Sequence, residues 1–354
     1  MGKIKILILF FILNSVIFAK QIQITDVLDR QVTIKKEVKK VIALGTSLSF
    51  ITYLNAKEMV LGIEAIELKD IKKRTYTYVN RNWAKDLPIV GQGGRAKRPN
   101  LEAIKVLNPD IIFTITQDRN EADLLSSQLN IPVIVLGYGL DAINFEHIYK
   151  SLEISSKILN KEKRAKELIS YIKTIQNQFK EITQKKEAYI GGIAYKGIQG
   201  ITSTQADFMP FKLAQVSNIT LDVKKKGHLF INKEYLLLKN PSNIFIDYAG
   251  WQLVKEEFSK NKEYFEKLQA FKENCFITLA NTFYYINLDQ MLVNSFFIAK
   301  QLYPKRYKNL DPVQKANEIF THFVGEPLYE MIKEDMGGFQ KVNLKNNKLE
   351  VESI

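Results

Sequence analysis

The side chains with the clearest chemical potential are cations and aromatics gathered in a few short segments. Gly91-Gln92-Gly93-Gly94 leads into Arg95-Ala96-Lys97-Arg98, and Gln117, Arg119 and Tyr138 follow apolar runs. Later in the chain come Tyr195-Lys196, then Tyr248 and Trp251, then Tyr284-Tyr285. Arginine and lysine neutralise anions, and arginine adds planar two-point hydrogen bonding. Tyrosine and tryptophan stack on flat ligands or on cationic groups. A glycine-rich segment leaves backbone N–H groups open to an anion. Together these types suit an anionic, partly aromatic small molecule. The glycine segment is not a dinucleotide fingerprint, because Pro99 follows where a helix would have to open.

Other chemistries find little support. The three histidines, His147, His228 and His322, show no metal-ligand spacing among themselves. His147 and His322 fall in helical patterns and read as structural. Cys275 is the only cysteine and sits in an apolar run, so it reads as a core thiol; neither a disulfide nor a zinc cluster can be built from it. There is no Gly-x-Ser-x-Gly elbow and no phosphate-binding Walker loop. Catalysis is not expected, and no covalent cofactor is implied. The formal net charge of +13 fits an anionic partner or simply a lysine-rich surface. No arginine-rich tract or recognition motif points to nucleic acid.

These segments need elements to position them. At the start, Lys3 and Lys5 precede an apolar run over 6–13, and Ala19 offers a small residue at a plausible cut. Residues 1–19 therefore read as a secretory signal peptide, too short to span a membrane, and the mature chain is expected outside the cytoplasm. Short apolar strands are expected at 40–44, 59–63, 111–115 and 131–136, alternating with helices at 47–55, 101–107 and 121–129. That alternation predicts an α/β lobe with a mainly parallel sheet over 20–142. A helical connector over 143–184 breaks at Asn160, and its second piece, over 161–183, would be a strut roughly 35 Å long. Strands at 188–194, 244–247 and 276–279 and helices at 288–302 and 312–323 make a second α/β lobe over 185–354, with a polar, peripheral tail after Gly337-Gly338.

One internal repeat ties the lobes together. Asn100, Glu102, Asn108, Pro109 and Phe113 recur 132 positions on as Asn232, Glu234, Asn240, Pro241 and Phe245. The shared unit is an Asn-capped helix, an Asn-Pro turn and a buried strand. In open α/β lobes ligands sit at the carboxyl ends of strands. Thr46, Ser47, the 91–98 loop, Gln117, Arg119 and Tyr138 occupy those positions in the first lobe. Tyr195, Lys196, Tyr248, Trp251, Tyr284 and Tyr285 occupy them in the second. His228 lies four residues before Asn232, where the repeat would turn it toward a cleft and let it cap an open position on a chelated metal.

The chain resembles the helix-linked class of periplasmic solute-binding proteins that serve importers for ferric siderophores, haem and vitamin B12. The likeness rests on Asp29-Arg30-Gln31-Val32-Thr33-Ile34, Lys40-Val41-Ile42-Ala43-Leu44, and the stretch from Asn100-Leu101-Glu102-Ala103-Ile104 to Asn108-Pro109-Asp110-Ile111-Ile112-Phe113. Gly191-Gly192-Ile193-Ala194-Tyr195-Lys196-Gly197 and Tyr303-Pro304 resemble the metal-chelate branch. The resemblance implies two Rossmann-like lobes joined by a long rigid helix, with a ligand cleft between them. It implies a monomeric, periplasmic binding protein that delivers an iron(III) chelate to the permease of an ABC transporter, with ATP hydrolysis on separate subunits. It also implies that Glu102 and Glu234 dock onto permease arginines. A nickel chelate, haem or cobalamin in the same fold is the alternative ligand, and a secreted α/β hydrolase the alternative class.

Overall fold

A computed structural model describes residues 21–35, 37–94, 97–139, 142–179, 182–223, 226–283 and 285–354. The expected signal peptide, Arg95 and Tyr284 lie outside the described residues. The first lobe opens on an antiparallel hairpin, β1 (Ile22–Thr25) with β2 (Gln31–Ile34). Its turn is built by Asp26, whose Oδ1 accepts Leu28 N–H and Arg30 N–H and whose Oδ2 accepts Val135 N–H. The main sheet holds β3 (Val41–Ala43), β4 (Val60–Ile63), β5 (Ile111–Ile115) and β6 (Val133–Leu136), all parallel, in the order β4-β3-β5-β6. Every residue of β3, β5 and β6 is buried. Helices cover both faces, which is why these strands read as unbroken apolar runs rather than alternating ones. The helices are α1 (Leu48–Tyr53), α2 (Thr75–Ala84), α3 (Leu101–Leu107) and α4 (Arg119–Leu129).

The connector is α5 (Phe145–Leu159) and α6 (Glu162–Gln178), separated by Asn160 in the left-handed region at φ +56°. The expected break is where Asn tolerates that conformation. The second helix is shorter than expected, 17 residues or roughly 25 Å. It stops because Phe179 leaves helical dihedrals to pack its ring 4.6 Å from Phe296.

The second lobe contains β7 (Glu187–Gly191), β8 (Ser203–Gln205), β9 (Ser217–Asn218), β10 (His228–Phe230), β11 (Ile244–Asp247) and β12 (Cys275–Thr278). A short hairpin follows, β13 (Thr282–Phe283) with β14 (Tyr285–Ile286), and the chain ends on β15 (Gln340–Lys345) and β16 (Lys348–Ser353). Its six-stranded sheet runs β16-β15-β12-β11-β7-β9, parallel from β9 to β12 and antiparallel beyond. The polar tail is therefore not peripheral: it supplies two strands of this sheet. Asn346 and Asn347, both at positive φ, make the two-residue turn between them. The edge strand β16 is largely solvent-facing, so its polarity hid it in the sequence.

The helices of this lobe are α7 (Met209–Leu213), α8 (Lys233–Lys239), α9 (Tyr248–Lys260), α10 (Lys262–Lys267), α11 (Ala270–Glu273), α12 (Leu288–Leu302), α13 (Pro312–Val324) and α14 (Tyr329–Met336). Two of them lock the lobes together. From α12, Asp289 accepts a hydrogen bond from the Thr75 hydroxyl at the start of α2, and Gln290 Nε2 donates to Lys73 O at 3.1 Å. From α13, Phe323 meets Tyr53 of α1 edge-on at 5.0 Å. Arg164 of α6 stitches the seam by donating to Tyr53 O at 3.0 Å and to His322 O. One apolar cluster consequently runs from Phe50 through Leu168 to Phe296.

Candidate functional site

The repeat is realised as structure. Both α3 and α8 are seven residues long, and each is capped by its Asn: Asn100 Oδ1 accepts Ala103 N–H at 3.1 Å and Asn232 Oδ1 accepts Tyr235 N–H at 2.6 Å. Each helix ends on an Asn at positive φ, Asn108 at 45° and Asn240 at 36°. Each buries one central side chain, Ile104 or Leu236, and feeds a fully buried strand. Glu102 and Glu234 are exposed on these helices, with Lys105 Nζ 3.5 Å from Glu102.

Because each helix runs back along the sheet before its strand, the strands' carboxyl ends lie toward the helices' N-termini. The two sets of strand ends approach each other: Tyr285 of β14 points its hydroxyl at Ile115 O, the last residue of β5, at 3.5 Å. On the second-lobe side of this approach stands an aromatic pair. Tyr195 follows β7 and is 37% exposed. His228 opens β10, and its ring stacks on Tyr195 at 4.0 Å with planes 6° apart. Phe230 closes the edge of His228 at 4.8 Å. The Ser203 hydroxyl donates to Ile193 O at 2.6 Å and lies 2.7 Å from His228 Nε2. A hydroxyl has one proton, so with that proton given to Ile193 O, His228 Nε2–H is placed to donate to Ser203 Oγ. Lys196, at φ +54°, holds its ammonium 5.4 Å from the Tyr195 ring. Tyr248 is half-buried at the first turn of α9.

Two expected contacts are placed in the walls rather than on open loops. Trp251 is 7% exposed and packs into the second-lobe core cluster, because α9 begins directly at the end of β11. Tyr138 is buried on Phe50, ring centroids 5.0 Å apart, with its hydroxyl 2.7 Å from Ser49 Oγ. In the first lobe Lys97, Arg98, Gln117 and Arg119 are all exposed, and Arg119 Nε lies 3.9 Å from Asp123.

Sequence reasoning missed the carboxylate beneath these. Glu64 follows β4, is buried, and accepts Gly45 N–H at 2.7 Å. It also underlies the glycine segment, since a Cβ on Gly93 would come within 2.9 Å of Glu64 Cβ. Burial pushes its carboxyl up to about 7, against the pull of the Gly45 N–H. Thr46, one of the expected strand-end residues, adopts φ +65°, a costly conformation for a β-branched residue, and its buried hydroxyl has no hydrogen-bond partner among the described residues. The available signal for Glu64 was a carboxylate directly after the apolar run Val60-Leu61-Gly62-Ile63. A surface cavity of about 690 Å³ lined by Asn55, Arg164 and His322 lies on the α13 seam, away from the strand ends.

Comparison with known proteins converges on one class. The chain matches the periplasmic binding protein family over residues 67–282 and belongs to it. It is 24% identical over 224 residues to the high-affinity heme uptake system protein IsdE of Staphylococcus aureus, covering 61% of this chain and 74% of that one. Among solved structures it is similar to the molybdate-bound periplasmic protein MolA of Haemophilus influenzae, with TM-score 0.67, 19% identity, and 85% and 97% of the two chains covered. It is also similar to the Ni-His complex of CeuE from Helicobacter pylori, with TM-score 0.64, 19% identity, and 89% and 99% covered. The molecule is an extracytoplasmic binding protein by family and not an enzyme, with the two-lobed α/β fold of these structures. The hydrolase alternative is set aside on that ground.

Proposed function

We propose that this protein captures an anionic metal chelate, an iron(III) chelate of the siderophore type, between its lobes and delivers it to a membrane permease. The observation that carries the reading is the stacked Tyr195–His228 pair beside Lys196 at the carboxyl end of β7. An aromatic face, an imidazole and an ammonium within one patch suit a flat anionic metal chelate. Lys97, Arg98, Gln117 and Arg119 supply charge and hydrogen bonds from the opposite lobe. Tyr248 and Tyr285 complete the second-lobe wall, with Tyr138 and Trp251 behind the two surfaces. Arg95 and Tyr284, outside the described residues, join the proposal on sequence alone. Lobes over 20–142 and 185–354 joined by 143–184, a cleaved signal over 1–19, a monomeric state in the periplasm, and docking through Glu102 and Glu234 belong to the same proposal.

Haem is the second reading. The similarity to the staphylococcal heme uptake protein favours it, and Tyr195 or His228 then serves as an axial donor. Titration of the mature chain with ferric catecholate, hydroxamate and citrate chelates, haem, cobalamin and nickel-histidine, followed by tryptophan fluorescence, separates the readings. Saturable quenching by one anionic ferric chelate, weakened at least tenfold in His228→Ala and in Arg95→Ala/Arg98→Ala, is the expected result. Saturation by haem alone, with a Soret shift lost in His228→Ala or Tyr195→Phe, replaces the ligand and keeps the site. Binding that is indifferent to all of these substitutions overturns the site.

A further inference from the structure

The repeat extends past the glutamates to two residues that neither the cleft nor the core uses. Val106 and Leu238 are separated by the same 132 positions as Glu102 and Glu234. Each is 84% exposed, whereas the next most exposed large apolar side chain among the described residues, Leu221, reaches 60%. Isolated apolar residues on a surface need no explanation. Two at the same place in a structural repeat are a different matter, because nothing in the folding of either helix requires them. Each helix satisfies its burial through the opposite face, where Ile104 and Leu236 are fully buried. Residues four apart lie one above the other on a helix, so Val106 stands on the Glu102 face and Leu238 on the Glu234 face.

We infer that Glu102 with Val106 and Glu234 with Leu238 form a duplicated docking motif, in which each lobe offers one carboxylate and one apolar side chain. The inference rests on the reading that the two glutamates dock the permease, and it specifies what the partner surface looks like. That surface carries two equivalent sites, each with a cation and an apolar recess about one helical turn away. A membrane permease of two like subunits has this chemistry. Each carboxylate with its aliphatic neighbour complements a local partner surface that sets a cation beside an apolar recess. The two halves of the motif do different work. The carboxylates steer and orient, while the aliphatic groups hold the complex through water release, which salt does not screen.

The test uses the full mature protein and the two-subunit permease of its importer in nanodiscs, with affinity measured at low and high salt. Val106→Gln and Leu238→Gln are each expected to weaken docking about tenfold, by similar factors and equally at both salt concentrations. Ligand capture and thermal unfolding stay unchanged, since both positions are exposed. Glu102→Gln and Glu234→Gln are expected to weaken docking and flatten its salt dependence. If the glutamate variants weaken docking and the Val106 and Leu238 variants do not, the apolar half of the motif is wrong and the docking reading stands. An effect at only one of Val106 and Leu238 refutes the duplication. Docking indifferent to all four variants overturns the docking reading itself. Self-association of the free protein that disappears in Val106→Gln/Leu238→Gln identifies a second copy as the occupant and overturns the proposal.

Discussion

In the first lobe β5 ends at Ile115, and Thr116, Gln117 and Asp118 intervene before α4 begins at Arg119. In the second lobe β11 ends at Asp247 and α9 begins at the next residue. Both junctions use an aspartate as the helix cap. Asp118 is exposed and accepts Asn120 and Glu121 N–H. Asp247 is fully buried and accepts Ala249 N–H and Asn281 N–H, tying the strand end to the next loop. The same device serves a local helix start in one lobe and holds two loops of the site in the other. Small residues permit the tighter junction: a Cβ on Gly250 would sit 2.3 Å from Gly192 O. The lobes thus repeat each other on the helix-and-turn flank and diverge at the strand ends, where the proposed ligand would be met from two unlike sides.

That contrast can be broken experimentally. Asp247→Ala is expected to destabilise the protein by about 3 kcal/mol in urea unfolding, since two buried N–H groups lose their acceptor. It should also loosen ligand binding, because Asn281 precedes the β13–β14 hairpin. The interlobe lock comes next. Thr75→Val removes the donor to buried Asp289 and is expected to cost about 1.5 kcal/mol, measured the same way, with ligand affinity altered through lobe orientation rather than contact. Asp118→Ala should cost only about 1 kcal/mol and leave the second-lobe surface untouched. An equal loss for Asp118→Ala and Asp247→Ala would show that the two caps do the same job after all.

A pH dependence is expected as well. Burial raises Asp247 from its ordinary 3.8 to about 7, Glu64 from 4.5 to about 7 and Asp289 from 3.8 to about 6. A carboxyl whose folded value exceeds its unfolded one is held more tightly as the acid in the folded state. Its contribution to stability is complete below the unfolded value and is lost as pH rises through the folded value. Between about pH 4 and 7 the melting temperature should therefore fall, and Glu64→Gln should flatten part of that slope. A melting temperature that rises over this window in the wild type, with no change of slope in Glu64→Gln, would contradict the burial argument.

Much of the scaffold was legible because periodicity and caps are local. Helices α3 and α12 and strands β5 and β11 fall on their expected residues, and the left-handed Asn160 breaks the connector where Asn can. The misses have physical causes. Tyr248 and Trp251 do follow a strand as expected, but on a helix rather than a loop, because α9 begins directly at the end of β11. The closing strands β15 and β16 read as a polar tail because the edge strand β16 faces solvent and β15 is only partly buried.

The sequence by itself determined the alternation of elements, the repeat and the chemistry on offer, since each depends on residues within a few turns of one another. Tertiary structure alone decided which of those residues meet. Tyr195 and His228 are 33 residues apart and stack only because β10 pairs antiparallel with β8, setting His228 opposite Gln205. Glu64 became a buried support for Gly45 only through the pairing of β3 with β4. Contacts of that range are fixed by strand register and by the packing of whole helices, and no local spacing encodes them.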